Sequence, residues 1–183
     1  MQTYKIVPSF LLVLAVGLVL GCAGSGEQEK TSAVVAKSGY SAVAEADVTF
    51  QWRIADSRLH VVLSAPTKGW VAVGFNPTKG MQDANLIIGY VKDGEATVRD
   101  DYGTWLTSHE SDEALGGTSD VLLVGGSESD QGTEISFSIP LDSGDDKDRA
   151  LVAGQEYGII VAFGNSDSFT AIHRKRGKMQ VKL

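Results

Sequence analysis

From Val48 onward apolar residues recur at every second position. Val48, Phe50, Trp52 and Ile54 share one face of an extended segment, and Thr49, Gln51 and Arg53 share the other. A period of two belongs to a half-buried β-strand, because successive side chains point to opposite sides of the pleat. After a turn at Ala55-Asp56-Ser57 the pattern returns in Leu59, Val61, Leu63 and Ala65, which turns His60 toward the more polar face. Further strands are expected over residues 69–75, 84–91, 95–102, 121–124, 134–139, 157–163 and 178–183. Asp93-Gly94 is a short-hairpin signal, since both central positions of a type I′ turn need positive φ. Beyond the N-terminal segment, no stretch keeps a helical period for three turns.

About nine to eleven short strands separated by Gly- and Asp-rich turns predict an all-β fold, an antiparallel β-sandwich of the Ig-like kind. Two runs, 121–124 and 158–163, are apolar at nearly every position, as expected of central strands covered on both sides or bordering an enclosed ligand.

The N-terminal segment differs. Lys5 precedes an apolar run from Ile6 to Leu20, broken only by Pro8, Ser9 and Gly17, that ends in Val19-Leu20-Gly21-Cys22. This is shorter than the roughly 20 residues a spanning helix needs. It resembles a bacterial lipoprotein signal. The resemblance implies a signal peptide over residues 1–21, cleavage before Cys22 and lipidation of Cys22. Residues 22–44 are small or polar and read as a flexible tether, and residues 45–183 as the β-domain. The expected location is the bacterial cell envelope, with the domain held by its lipid at the outer membrane or periplasmic face. Ala23 at the second position is compatible with passage to the outer membrane.

Composition removes several classes of function. The 183 residues carry a formal charge of −7 with a single Cys. An acidic surface disfavours nucleic acid as a partner, and one Cys excludes Cys-rich zinc sites, iron–sulfur clusters and C-x-x-C-H haem attachment. No serine stands in G-x-S-x-G, and His109-Glu110 lacks the second His of H-E-x-x-H because position 113 is Glu. The acidic turn Asp142-Ser143-Gly144-Asp145-Asp146-Lys147-Asp148 does not follow EF-hand spacing and contains a Lys, so it reads as a solvated turn. No acid–base pair or activated nucleophile can be placed, so catalysis by side chains is not expected. His60 and His109 read as surface residues. His173 precedes Arg174-Lys175-Arg176-Gly177-Lys178, the one dense basic run of an acidic chain.

Six motifs in order resemble the DOMON domain. They are Gly69-Trp70-Val71-Ala72-Val73-Gly74-Phe75, Gly80 to Val91, Val98-Arg99-Asp100-Asp101-Tyr102, Pro140 to Asp145, Val161-Ala162-Phe163-Gly164 and His173-Arg174-Lys175-Arg176-Gly177. The resemblance runs from about residue 46 to the C-terminus and implies a DOMON-like β-sandwich. The family contains members that bind b-type haem, such as the cytochrome domain of cellobiose dehydrogenase, and members thought to bind sugars or other partners. In the haem-binding branch a Met in G-M-x-x-A and a His in H-x-x-R-G are axial ligands, and Met81 and His173 stand at those positions. Arg174 replaces a frequent second His, and Asn85 a frequent Asp.

The resemblance implies noncovalent haem b, with Met81 and His173 on the iron and apolar walls from Trp70, Val73, Phe75, Ile87 and Tyr90. Arg174, Lys175 and Arg176 are expected to pair with propionates. Met/His ligation raises the potential relative to His/His and fills both axial positions, which suits an electron carrier. Its partners would be envelope redox proteins, a dehydrogenase or another cytochrome. The alternative is a haem-free module that binds sugars or another ligand, with Trp70, Tyr90, Tyr102 and Trp105 as stacking platforms.

Overall fold

The computed structural model describes residues 35–183. The signal-like run, Cys22 and the tether as far as residue 34 lie outside the described residues.

Eleven strands follow one another: β1 (Ser41–Glu45), β2 (Val48–Ala55), β3 (Arg58–Ala65), β4 (Val71–Phe75), β5 (Asn85–Lys92), β6 (Glu95–Trp105), β7 (Ser108–Ser111), β8 (Leu122–Ser129), β9 (Gly132–Pro140), β10 (Glu156–Phe163) and β11 (Lys175–Lys182). Three two-residue turns set the first registers. Ala46-Asp47, Asp56-Ser57 and Asp93-Gly94 each have positive φ at both positions, as the type I′ hairpin demands. The strands form two antiparallel sheets, a five-stranded one in the order β1-β2-β3-β9-β8 and a six-stranded one in the order β11-β10-β4-β5-β6-β7.

The alternating residues meet between the sheets. Val48, Phe50, Leu59, Val61, Leu63, Ile135 and Phe137 from one sheet pack against Val71, Val73, Phe75, Ile87, Ile159 and Val161 from the other, all at 2% exposure or less. Phe50 stacks on Trp52 at 5.1 Å and meets Phe75 edge-on at 6.2 Å. Each such side chain contributes about 1.5–3 kcal/mol by leaving water, which makes this layer the main source of stability.

Two expectations need correction. The ordered domain begins earlier than the tether reading allows, because β1 occupies residues 41–45 and pairs along its length with β2. The apolar run 121–124 is not central. Its last three residues begin β8, at the edge of the five-stranded sheet, with Leu122, Leu123 and Val124 exposed at 57%, 40% and 69%. A β-bulge between Leu123 and Gly125 disrupts the alternation there. The second run fares differently, since β10 lies between β11 and β4 inside the six-stranded sheet.

Candidate functional site

The six-stranded sheet has a second face, away from the core. Strand alternation puts Ala72 and Gly74 of β4, Gly158, Ile160 and Ala162 of β10, and Leu86, Ile88 and Tyr90 of β5 on it. Registers make them neighbours, with Ala72 between Ala162 and Ile88, and Gly74 between Ile160 and Leu86. The result is a strip of small residues flanked by larger apolar ones. Gly74 is needed there, since a Cβ would lie 2.5 Å from Leu86 Cδ2 and 2.7 Å from Ile160 Cγ1. Leu86 and Ile88 are 6% and 4% exposed, buried although they face away from the core.

Part of the cover comes from the segment joining β10 to β11. Its one large aromatic, Phe169, lies 4.9 Å from the Tyr90 ring, and the Arg99 guanidinium sits 4.6 Å from the Phe169 centroid. Arg99 also donates to Asp101 through Nε and Nη2 at 2.5 and 2.6 Å, and His109 Nδ1 approaches the same carboxylate at 2.5 Å. Burial would raise the Asp101 carboxyl, yet the hydrogen bonds from His109 and Arg99 and their charges hold it below the ordinary range. His109 is therefore no free surface residue. Its strand, β7, pairs with β6 and brings the ring to Asp101. Arg99, Asp101 and Phe169 were not among the expected site residues. The available signal was the i, i+2 spacing of Arg99 and Asp101, which puts both on the face opposite Asp100.

Met81 and His173 stand at opposite ends of this sheet. Met81 occupies the tight turn Lys79-Gly80-Met81-Gln82, beyond the Phe75 end of β4, where Gln82 N–H donates to Lys79 O at 3.0 Å. Its own N–H donates to Leu106 O at 3.1 Å, and its carbonyl accepts from Ala84 N–H at 3.0 Å. The turn is braced by Asp83, which accepts from Thr78 Oγ1 at 2.6 Å and Tyr102 Oη at 2.9 Å. Those two bonds hold the Asp83 carboxyl below its ordinary value. His173 precedes Arg174, whose N–H donates to Phe163 O at 2.7 Å, and so lies by the Val71 end of β4. Both side chains are half-buried.

The expected walls divide by strand parity. Val73, Phe75 and Ile87 point into the inter-sheet core and cannot line the outer face. Tyr90 does face outward. Trp70 is 5% exposed, and a Cβ on Gly164 would lie 2.3 Å from its Nε1, so the indole packs on the strand-to-loop junction at the His173 end. The basic run also separates. Lys175 pairs with Asp47 at 2.7 Å, Arg174 lines a cleft with Thr67, Lys68 and Asp130, and Arg176 stands exposed on β11 opposite Ala162. Of the four stacking platforms, Trp70 is buried, Tyr90 lies against Phe169, and Tyr102 is tied to Asp83. Trp105 alone is exposed, at 59%. The acidic turn is not simply solvated either, because its last Asp, Asp148, reaches Asp100 and Asp112.

A profile of the DOMON domain matches residues 44–164, more than half of the chain. The chain belongs to the DOMON-domain family. Among solved structures this DOMON domain resembles the cytochrome b domain of pyranose dehydrogenase from Coprinopsis cinerea, with 13% identity and a TM-score of 0.59 over 78% of this chain and 80% of that one. It also resembles the cytochrome domain of Myriococcum thermophilum cellobiose dehydrogenase, at 12% identity and a TM-score of 0.57 over 74% of each chain. At such identities the likeness establishes the shared sandwich. The residues present suit a haem by their chemistry. A soft thioether and an imidazole are donor types that hold a b-type haem iron, and Met81 lies beyond the Phe75 end of β4 while His173 lies by its Val71 end.

Proposed function

We propose that this DOMON domain binds a b-type haem on the outer face of the six-stranded sheet, with Met81 and His173 as axial ligands, and carries single electrons at the bacterial cell envelope. The observation that supports this best is the pairing of a Met turn and a His loop at opposite ends of one strip of small residues, Ala72, Gly74 and Ala162. The haem, when bound, supplies one-electron redox chemistry.

The chain's own groups do the rest. Met81 and His173 bind the iron, while Leu86, Ile88, Ile160 and Tyr90 exclude water from the ring. Arg176, exposed on the same sheet face, offers a guanidinium to a propionate. Arg174 is withdrawn from that role by its place in the Thr67–Lys68 cleft. The redox partner is an envelope dehydrogenase or cytochrome, and acyl chains on Cys22 keep the domain beside the membrane.

The test is the visible absorption spectrum of protein made with ample haem, recorded oxidised and after dithionite. A Soret band with sharp α and β bands on reduction is expected, lost in Met81→Ala and in His173→Ala and kept in His60→Ala. His60 lies on β3 of the other sheet and serves as the control. A folded, colourless protein that takes up no added haemin would remove the proposal.

A further inference from the structure

At one end of the sandwich three carboxylates from distant parts of the chain converge. Asp100 comes from β6, Asp112 from the turn after β7, and Asp148 from the connection before β10. One carboxylate oxygen from each lies within 4.8 Å of the others. Asp100 and Asp112 are 1% and 0% exposed. Buried carboxylates are normally answered by a basic side chain or a metal ion, because an isolated charge is costly away from water. None of the three belongs to an ion pair among the described residues. Lys147, whose charge pulls on Asp112, holds its Nζ 5.6 Å from the Tyr102 ring centroid.

Three of the oxygens, Asp100 Oδ1 and both of Asp112, are also left without donors. Asp100 Oδ2 accepts from the backbone N–H groups of Asp120 and Val121 at 3.0 and 3.1 Å, which fixes the carboxylate and leaves Oδ1 buried and unpartnered. Both oxygens of Asp112 are buried and unpartnered. A fourth group points the same way and is not acidic. Asn85, 3% exposed, donates through Nδ2 to Asp148 and keeps an unpartnered, buried Oδ1 beside the cluster. Several buried acceptors without donors in one place are the surroundings that a bound cation would fill.

We infer that Asp100, Asp112, Asp148 and Asn85 form a binding site for a calcium ion. Oxygen-only donors select a hard cation, and no His or Cys is present to favour zinc or copper. Ligands at 2.3–2.6 Å from a common Ca²⁺ lie at most about 5 Å apart, which the observed spacing satisfies, and Ca²⁺ accepts the irregular geometry of ligands from four chain segments. Mg²⁺ demands a near-ideal octahedron that nothing here sets up. The ion ties β5, β6, the turn after β7 and the connection before β10 at one corner of the sandwich.

Burial first, then the charges of Asp148 and Asp112, push the Asp100 carboxyl up to about 8. Burial and the charges of Asp148, Asp145 and Asp101 push Asp112 up to about 7 against the opposing pull of Lys147. Protons and the cation compete for the same oxygens.

The experiment is thermal unfolding of the full chain after EDTA treatment and dialysis, at pH 7.5, with added calcium or magnesium chloride. Calcium at a concentration well above its dissociation constant is expected to raise the melting temperature by roughly 5–10 °C. Asp112→Asn and the less buried Asp148→Asn are expected to melt no lower than the EDTA-treated parent and to lose the calcium response. Three results would each overturn the site: no response up to about 10 mM calcium, an equal response to magnesium, or an undiminished response in both variants.

Discussion

Gly103 shows how a single missing methyl positions the Met81 turn. A Cβ there would lie 1.6 Å from the Met81 carbonyl oxygen and 2.6 Å from its carbon, and main chain cannot yield as a flexible side chain would. Gly103 N–H also donates to Ala84 O, and its carbonyl accepts from Asp83 N–H, so the contact is fastened from both sides. Gly103→Ala is expected to cost about 1–3 kcal/mol and to move the Met81 turn. In haem-loaded protein the six-coordinate spectrum should weaken while the His173 ligand persists. An unaltered spectrum would separate the turn from the iron. Asp101 carries a different kind of prediction. Its buried carboxylate serves Arg99 and His109 together, and Asp101→Asn is expected to cost about 2–3 kcal/mol at neutral pH. The folded value lies below the ordinary 3.8, so the contribution is complete above that pH and disappears as pH falls through the folded value. Urea unfolding of parent and variant should therefore differ at pH 7 and converge on acidification below about pH 4. A gap that stayed constant would mean the charge is not what matters.

At the scale of elements, β8 is the least protected strand. Leu122, Leu123 and Val124 expose apolar surface along a sheet edge, where unpaired main-chain groups invite another strand. Val124→Lys is expected to leave the melting temperature nearly unchanged, within about 0.5 kcal/mol of stability, and to lower light scattering on heating. Unchanged scattering would clear β8 of a part in aggregation. The run 121–124 also marks what periodicity can resolve. Continuous apolarity indicates a strand but not its neighbours, and only the pairing of β8 with β9 alone reveals the edge. Alternation, by contrast, carried more than was drawn from it. Val71, Val73 and Phe75 share a parity that Ala72 and Gly74 oppose, so the sequence itself separates core residues from the outer strip. That parity keeps Val73, Phe75 and Ile87 in the core and off the outer strip. The short strands β1 and β7 were not expected, because Ser41-Ala42-Val43-Ala44-Glu45 and Ser108-His109-Glu110-Ser111 carry no alternation of large apolar residues. The meeting of Asp100, Asp112 and Asp148 was not legible either, since it depends on three connections closing at one corner of the fold. The DOMON motifs compensated by naming the family and the fold.

At the scale of the whole molecule the chain combines a β-sandwich with an N-terminal segment of another character. An electron carrier that exchanges with membrane-bound partners gains from confinement near the bilayer, because confinement raises its effective concentration there without any new contact. In the proposed function, this confinement depends on lipidation of Cys22. A single acyl chain binds membranes only marginally, at about 0.8 kcal/mol per buried methylene, and stable attachment takes two signals, which a lipidated N-terminal Cys supplies at one residue. Cys22→Ser is therefore expected to shift the protein from the membrane to the soluble fraction of an expressing bacterium, and to abolish labelling by radioactive palmitate. The Soret and α bands should be the same in both fractions, because Met81, His173 and the outer strip lie within the described sandwich and owe nothing to the anchor. If Cys22→Ser protein stays with the membrane, attachment comes from the apolar run itself or from a partner. If it becomes soluble but loses its haem bands, the domain depends on the membrane for loading, and the separation of anchor from cofactor site fails.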